Sequence, residues 1–146
     1  MMNYEAAAQI GTFASALAAV IMIVVAIRAY RRQTNALVFL EYTKRYEVVM
    51  TLFPTEARRA RLNLDGEIPE PNENLTVAVL RYLNLCSEEF YLCQRGYLAK
   101  DVWKIWEAEL KRTLQSPLVK REWGTLNNEF QAYPEFQLYV EAAQNK

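Results

Sequence analysis

Histidine does not occur in this chain. Its absence removes the commonest general base and a leading metal ligand. Imidazole triads, zinc-protease helices and the arginine-histidine motif of helical RNases are excluded with it. Glycine is scarce, with four in 146 residues, and scattered glycines cannot build a phosphate loop or a dinucleotide fingerprint. Neither sign of charge is in excess, because 17 Lys plus Arg balance 17 Asp plus Glu. Nothing therefore pulls the chain as a whole toward duplex nucleic acid. Cysteine is limited to Cys86 and Cys93, seven positions apart in one predicted helix. Two helical turns place their Cα atoms ~10 Å apart, beyond the ~7 Å a disulfide spans. They read as reduced thiols serving as small core residues in a reducing compartment. Glu88 and Glu89 are adjacent, so a helix splays them about 100° apart instead of pairing them for acid–base work. No catalytic residue, metal site or cofactor is expected.

One absence is local. Ala6 to Ile27, AAAQIGTFASALAAVIMIVVAI, runs 22 residues without a charge. At ~1.5 Å per residue it extends ~33 Å, a match to a hydrocarbon core of about 30 Å. A cleaved signal peptide would carry positive charge ahead of the apolar run. Here only Glu5 precedes it, while Arg28, Arg31 and Arg32 follow. By the positive-inside rule the N-terminus lies outside and the rest of the chain is cytoplasmic, a single pass through a bacterial inner membrane. Within the run Ala7, Gly11, Ser15 and Ala19 recur every four residues, the spacing that lets membrane helices approach closely. This ladder predicts helix contact and a homo-oligomer. Residues 1–32 thus form a transmembrane helix with a basic collar, and 33–146 a cytosolic domain.

That domain has a helical period throughout. Phe39, Tyr42, Tyr46, Val49 and Phe53 step by three and four, an apolar seam continuing the first helix. Pro54 opens a short helix through Leu62. Asn63 to Asn74, with Gly66, Pro69 and Pro71, reads as an acidic loop whose spacing does not match a calcium site. A helix from about Leu75 to Arg95, ended by Gly96, is apolar on most of its surface and should be central. The next, about Lys100 to Gln115, sets Trp103, Trp106, Leu110 and Leu114 on one face, and its start at Ala99 lacks a capping side chain. Ser116-Pro117 restarts the chain as N-cap and first helical residue, with Val119, Trp123, Leu126 and Phe130 as the buried stripe. Pro134 begins a last short helix carrying Phe136, Tyr139 and Val140. No run alternates with period two for long enough to make a strand. The expected fold is all-α: one N-terminal transmembrane helix followed by a compact cytosolic bundle of about five helices.

Two features bear on function. Arg28 to Arg61 holds eight basic residues against Glu41, Glu47 and Glu56. This stretch reads either as a collar and solvated face drawn to anionic lipid, or as an anion site with arginines gripping phosphates and aromatic rings stacking on bases. Arg58, Arg59 and Arg61 lie past Pro54, away from the collar, and are the candidate grip. The second feature is the polar stripe Arg81, Asn84 and Glu88 on the otherwise apolar central helix. It is a solvated face, or, if self-association buries it, a set of groups that must pair across subunits or hold a ligand. Arg81 and Asn84 join the three arginines as candidate ligand-binding residues.

FLEYTKRYEVVM from Phe39, RYLNLCSEEFYLCQRGYLAKDVW and SPLVKREW resemble a widespread family of uncharacterised bacterial proteins, many of them small with one N-terminal membrane helix. The shared positions are packing residues, caps and aromatics, so the resemblance carries over no active site. In architecture the chain is similar to the membrane effectors of antiphage systems, among them type III CRISPR accessory proteins switched by cyclic oligoadenylates. That likeness implies a non-enzymatic, oligomeric sensor or effector in antiphage defence, whose cytosolic domain binds a small anionic or cyclic nucleotide ligand. The rival reading from another class is a passive anchor or accessory subunit that recruits a protein partner to the inner membrane.

Overall fold

In the computed structural model, residues 4–61 and 67–145 are described, and side chains from Ala8 onward. The expected end of the second helix at Leu62 and the start of the acidic loop, 63–66, lie outside the described residues. Six α-helices account for most of the chain, and no strand occurs among the described residues. Helix α1 runs Tyr4–Leu52, α2 Thr55–Ala60, α3 Glu73–Gln94, α4 Lys100–Leu114, α5 Pro117–Leu126 and α6 Pro134–Gln144, with a 3₁₀ turn at Asn127–Phe130. The fold is all-α, as the sequence predicts. Two units divide the chain, 1–37 and 38–146.

The first unit is the leading part of α1. It contains a helix long and apolar enough to cross a membrane by length and composition. From Ala8 to Arg32 every side chain is exposed. Phe13, Val20, Ile21, Met22, Ile23 and Val25 are each more than half exposed. So continuous an apolar surface is far larger than a soluble monomer tolerates. Gly11, Ser15 and Ala19 of the small-residue ladder lie on it, exposed; the side chain of Ala7 lies outside those described.

The second unit is built around α3. Asn72 begins it, its side-chain oxygen accepting from the Leu75 amide at 2.9 Å. Gly96 ends it in the left-handed region, φ +71°. The amides of Gly96 and Tyr97 return to the carbonyls of Cys93 and Leu92, which closes the last turn. α4 follows after a five-residue link, 95–99. Its first residues have no capping side chain from Ala99, and Asp101 in the first turn supplies the favourable negative charge instead. Ser116 caps α5 as expected. Its Oγ accepts from the Val119 amide at 3.3 Å and donates to the Thr113 carbonyl at 2.8 Å, fully buried. Pro134 stands in the first turn of α6. Pro54 differs slightly from expectation: it precedes α2 as N-cap, with extended backbone, and the helix begins at Thr55.

α3 packs on α4 and α5, α4 also packs on α6, and α2 rests on α5. Val49 of α1 and Phe53, just after its end, are buried in the same core. At its centre the ring of Phe136 is fully buried and meets Phe90 at 5.8 Å, Phe130 at 5.4 Å, Tyr133 at 6.0 Å and Trp123 at 6.5 Å. Phe90 extends the cluster to Trp103 and Tyr139. α3, α4, α5 and α6 are thus joined through one set of rings, most of them tilted or edge-on as ring quadrupoles prefer. Phe136→Ala should remove about 3–5 kcal/mol of stability, the range for truncating a buried aromatic. Urea unfolding of the detergent-solubilised chain, followed by tryptophan fluorescence, measures it.

Candidate functional site

The five candidate ligand-binding residues do not form one site. Arg61 is buried, 6% exposed. Its guanidinium lies over the rings of Tyr46 and Tyr82, 5.5 and 5.9 Å from their centroids, and donates to the Tyr46 hydroxyl at 2.7 Å. It works as packing between α1 and α3, with the cation held on aromatic faces. Arg58 is exposed, with Nε donating to the Phe53 carbonyl at 3.0 Å, so it closes the corner between α1 and α2. Arg59 is exposed. Arg81 and Asn84 are exposed on successive turns of α3.

What the fold does bring together is Arg58 and Arg81. Both line a groove of about 570 Å³ whose other walls include Thr51, Leu52, Pro54 and Asn74. Arg81 and Asn84 also border a second groove, about 320 Å³, with Lys44, Arg45 and Glu41. The two arginines expose guanidinium groups able to take a phosphate or carboxylate in bidentate fashion.

Glu88 completes the polar stripe, and it does not stand free in solvent. Arg45 of α1 grips its carboxylate with both terminal nitrogens, 2.6 and 2.9 Å, and the Tyr42 hydroxyl donates at 3.2 Å. This hydrogen bonding to Arg45 holds the Glu88 carboxyl below its ordinary range. The side chains are 40% and 47% exposed, so the pair contributes no more than about 1 kcal/mol. Its role is to fix where α1 lies along α3 within the second unit.

Glu89 has the opposite environment. It is 8% exposed, with no hydrogen bond or ion pair from the described residues. Burial pushes its carboxyl up to about 8, partly offset by the positive field of Arg45. It lines a cavity of about 570 Å³ among α1, α3 and α4, walled by Tyr42, Tyr46, Tyr82 and Trp106 and rimmed by Glu109 and Arg112. From the sequence, Glu89 is set about 100° round the helix from Glu88 and is given no role. The signal was there: Glu89 lies three residues past Cys86 and seven past Tyr82, on the buried side of the helix. A larger depression, about 860 Å³, holds Arg95, Tyr91, Tyr133 and Glu135. It is a shallow surface trough, and Arg95 is already stacked over Tyr91 at 5.4 Å.

Glu122 of α5 is the other buried acid, and it is fully partnered. Arg121 donates to it from Nε and Nη2 at 3.0 and 2.7 Å, and Thr76 at 2.7 Å. Arg121 also reaches the Pro69 carbonyl, so this network ties the loop before α3 to α5. Its function is structural. Among the described residues no three acids or cysteines gather closely enough to hold a metal ion. Both cysteines are free thiols on α3.

No protein-family model matches the sequence, and comparisons with curated proteins and with solved structures find no match. The functional reading therefore rests on the residues themselves.

Glu89 also sets a pH dependence. A carboxyl whose folded pKa lies above its ordinary 4.5 holds a proton in the native state that the unfolded chain releases. Its contribution is full below about pH 4.5 and is lost as pH rises toward about 8. Glu88 acts in the other direction and only on acidification, since its lowered pKa favours the native state above the ordinary range. The thermal midpoint should fall from pH 5 to pH 8, and Glu89→Gln should flatten that decline. An unchanged slope in the variant would assign the effect to other groups.

Proposed function

We propose that the chain is a non-enzymatic, membrane-anchored and ligand-responsive effector or sensor that self-associates through its N-terminal helix. The observation that carries this reading is the double use of α1. Its leading part is apolar and exposed. Its last turns supply Thr51 and Leu52 to the groove that holds Arg58 and Arg81. An anion in that groove would touch the same helix that carries the span. In its specific form the proposal is antiphage defence at a bacterial inner membrane, with the N-terminus outside, the helical unit cytoplasmic and a cyclic oligonucleotide as trigger. The arginines after the apolar run support that orientation. Gly11, Ser15 and Ala19, exposed at four-residue spacing, support close helix contact. A switch of this kind needs a ligand with different affinities for the two states of the assembly.

A second reading, a passive anchor or accessory subunit that recruits a protein, is favoured by one observation. Tyr97 and Leu138 of the helical unit are each 66% exposed, apolar side chains that a recruited protein would cover.

Membrane insertion is tested by alkaline extraction of cell membranes. The wild-type chain should stay in the pellet, and Val20→Asp combined with Val24→Asp should release it, since each acid costs about 2.5–3.5 kcal/mol at a helix centre. The ligand is tested with cyclic tetra-adenylate on the full chain in nanodiscs. Saturable binding is expected, weakened at least tenfold in Arg58→Ala/Arg81→Ala and much less in Arg59→Ala. Retention in the membrane with no nucleotide binding would leave the passive anchor as the better account.

A further inference from the structure

The cavity beside Glu89 belongs to neither arginine groove, and nothing derived so far uses it. Its volume, about 570 Å³, falls within the range of small-molecule sites, on the order of 300–1,000 Å³. Four aromatic side chains, Tyr42, Tyr46, Tyr82 and Trp106, line it beside aliphatic ones. Trp106 of α4 lies between two rings of α1, stacked on Phe39 at 5.8 Å and tilted against Tyr42 at 5.5 Å. Tyr46 and Tyr82 meet edge-on at 6.5 Å on another side.

At the wall of this cavity Glu89 is 8% exposed and has no hydrogen bond or ion pair among the described residues. A carboxyl held that way is costly unless something completes it. The nearby cations already have partners: Arg45 is gripped by Glu88 and lies over the Tyr42 ring at 5.0 Å, and Arg61 is held by Tyr46 and the ring of Tyr82. Glu109 adds a second acid at the rim against the single cation Arg112. The chemistry that answers an unpaired acid beside electron-rich rings is an organic cation. Near neutral pH Glu89 holds a proton, which the ammonium displaces to solvent; its charge then pairs with the carboxylate while its carbon body lies on the rings.

We propose that the cavity among α1, α3 and α4 is a binding site for an organic ammonium ion with an apolar body, with Glu89 as counter-ion and Tyr42, Tyr46 and Trp106 as the aromatic walls. This site is independent of the nucleotide reading. Its ligand has the opposite charge and its residues are different, so either proposal fails without the other.

The test uses three probes of one length: 3-phenylpropylamine as cation, 3-phenylpropanol as neutral control and 3-phenylpropionate as anion. Each is titrated by calorimetry into the full chain in detergent at neutral pH. The amine should bind saturably at one per chain and at least tenfold more tightly than the alcohol, with the propionate weakest. Glu89→Gln should weaken the amine at least tenfold and leave the alcohol unchanged. Trp106→Leu should weaken both. Arg58→Ala/Arg81→Ala should change neither. Circular dichroism of each variant confirms that the helices are retained. No saturable binding of the amine, equal binding of amine and alcohol, tighter binding of the propionate through Arg112, or full affinity in a folded Glu89→Gln variant would each overturn the proposal.

Discussion

Helix α3 buries one broad face, about half its circumference, and that face organises the second unit. Leu75, Ala78, Val79, Tyr82, Leu83, Leu85, Cys86 and Phe90 are all buried on it, while Val77, Arg81, Asn84, Glu88 and Tyr91 are exposed on the opposite side. So broad a face takes several neighbours to cover. α4 and α5 pack on it, α6 closes through the rings around Phe136, and the seam of α1 covers a further side. The short links support this arrangement. Gly96, Ser116 and Pro134 each end or begin a helix where the chain must turn back on the shared core.

The edges of the buried face decide the setting of each polar group on the helix. Arg81 and Asn84 stay in solvent. Glu88 reaches the edge of the α1 contact, where Arg45 takes it in both hydrogen bonds. Glu89, one residue on and about 100° round, points into the packed side. Comparison with Glu122 makes the difference plain. Both carboxyls are buried, but Glu122 accepts from Arg121 and Thr76 and completes a network. Glu89 faces a cavity instead. Two buried acids thus differ in whether the fold itself supplies their partner.

Most of the architecture was legible because periodicity and punctuation are local signals. The seam from Phe39 to Phe53, the stripe from Val119 to Phe130, the Ser116-Pro117 restart and the Gly96 stop depend on neighbours within a few residues, and the helices follow them. The candidate site was less legible, for a physical reason. Charge clustering along the chain says which cations are close in sequence, but a helix turns each successive residue by about 100°. Arg58, Arg59 and Arg61 therefore point three ways, and Arg61 is drawn under Tyr46 and Tyr82, where its cation meets ring faces. The Arg45–Glu88 pair joins residues 43 positions apart. Periodicity can place each on its own helix but cannot pair the helices.

The energetic scale of the α1 contact bears on whether a ligand could be felt there. Upstream of Val49 the seam is only half-buried: Phe39, Tyr42 and Tyr46 all retain solvent contact. Stacking of Phe39 and Tyr42 on Trp106 contributes about 0.5–1.5 kcal/mol per pair beyond area burial. The exposed Arg45–Glu88 pair adds no more than about 1 kcal/mol. By contrast, Phe53 is fully enclosed and fastens the far end of the helix. α1 is thus held firmly at Phe53 and by small increments from Phe39 to Tyr46. A ligand seated against Tyr42 and Trp106 acts on the small increments, and a few kcal/mol of differential affinity is of their size. A ligand at Arg58 and Arg81 instead meets the helix beside its firm end, through Thr51 and Leu52. The two sites therefore reach α1 at different points along its length, one among small contacts and one beside the buried ring of Phe53.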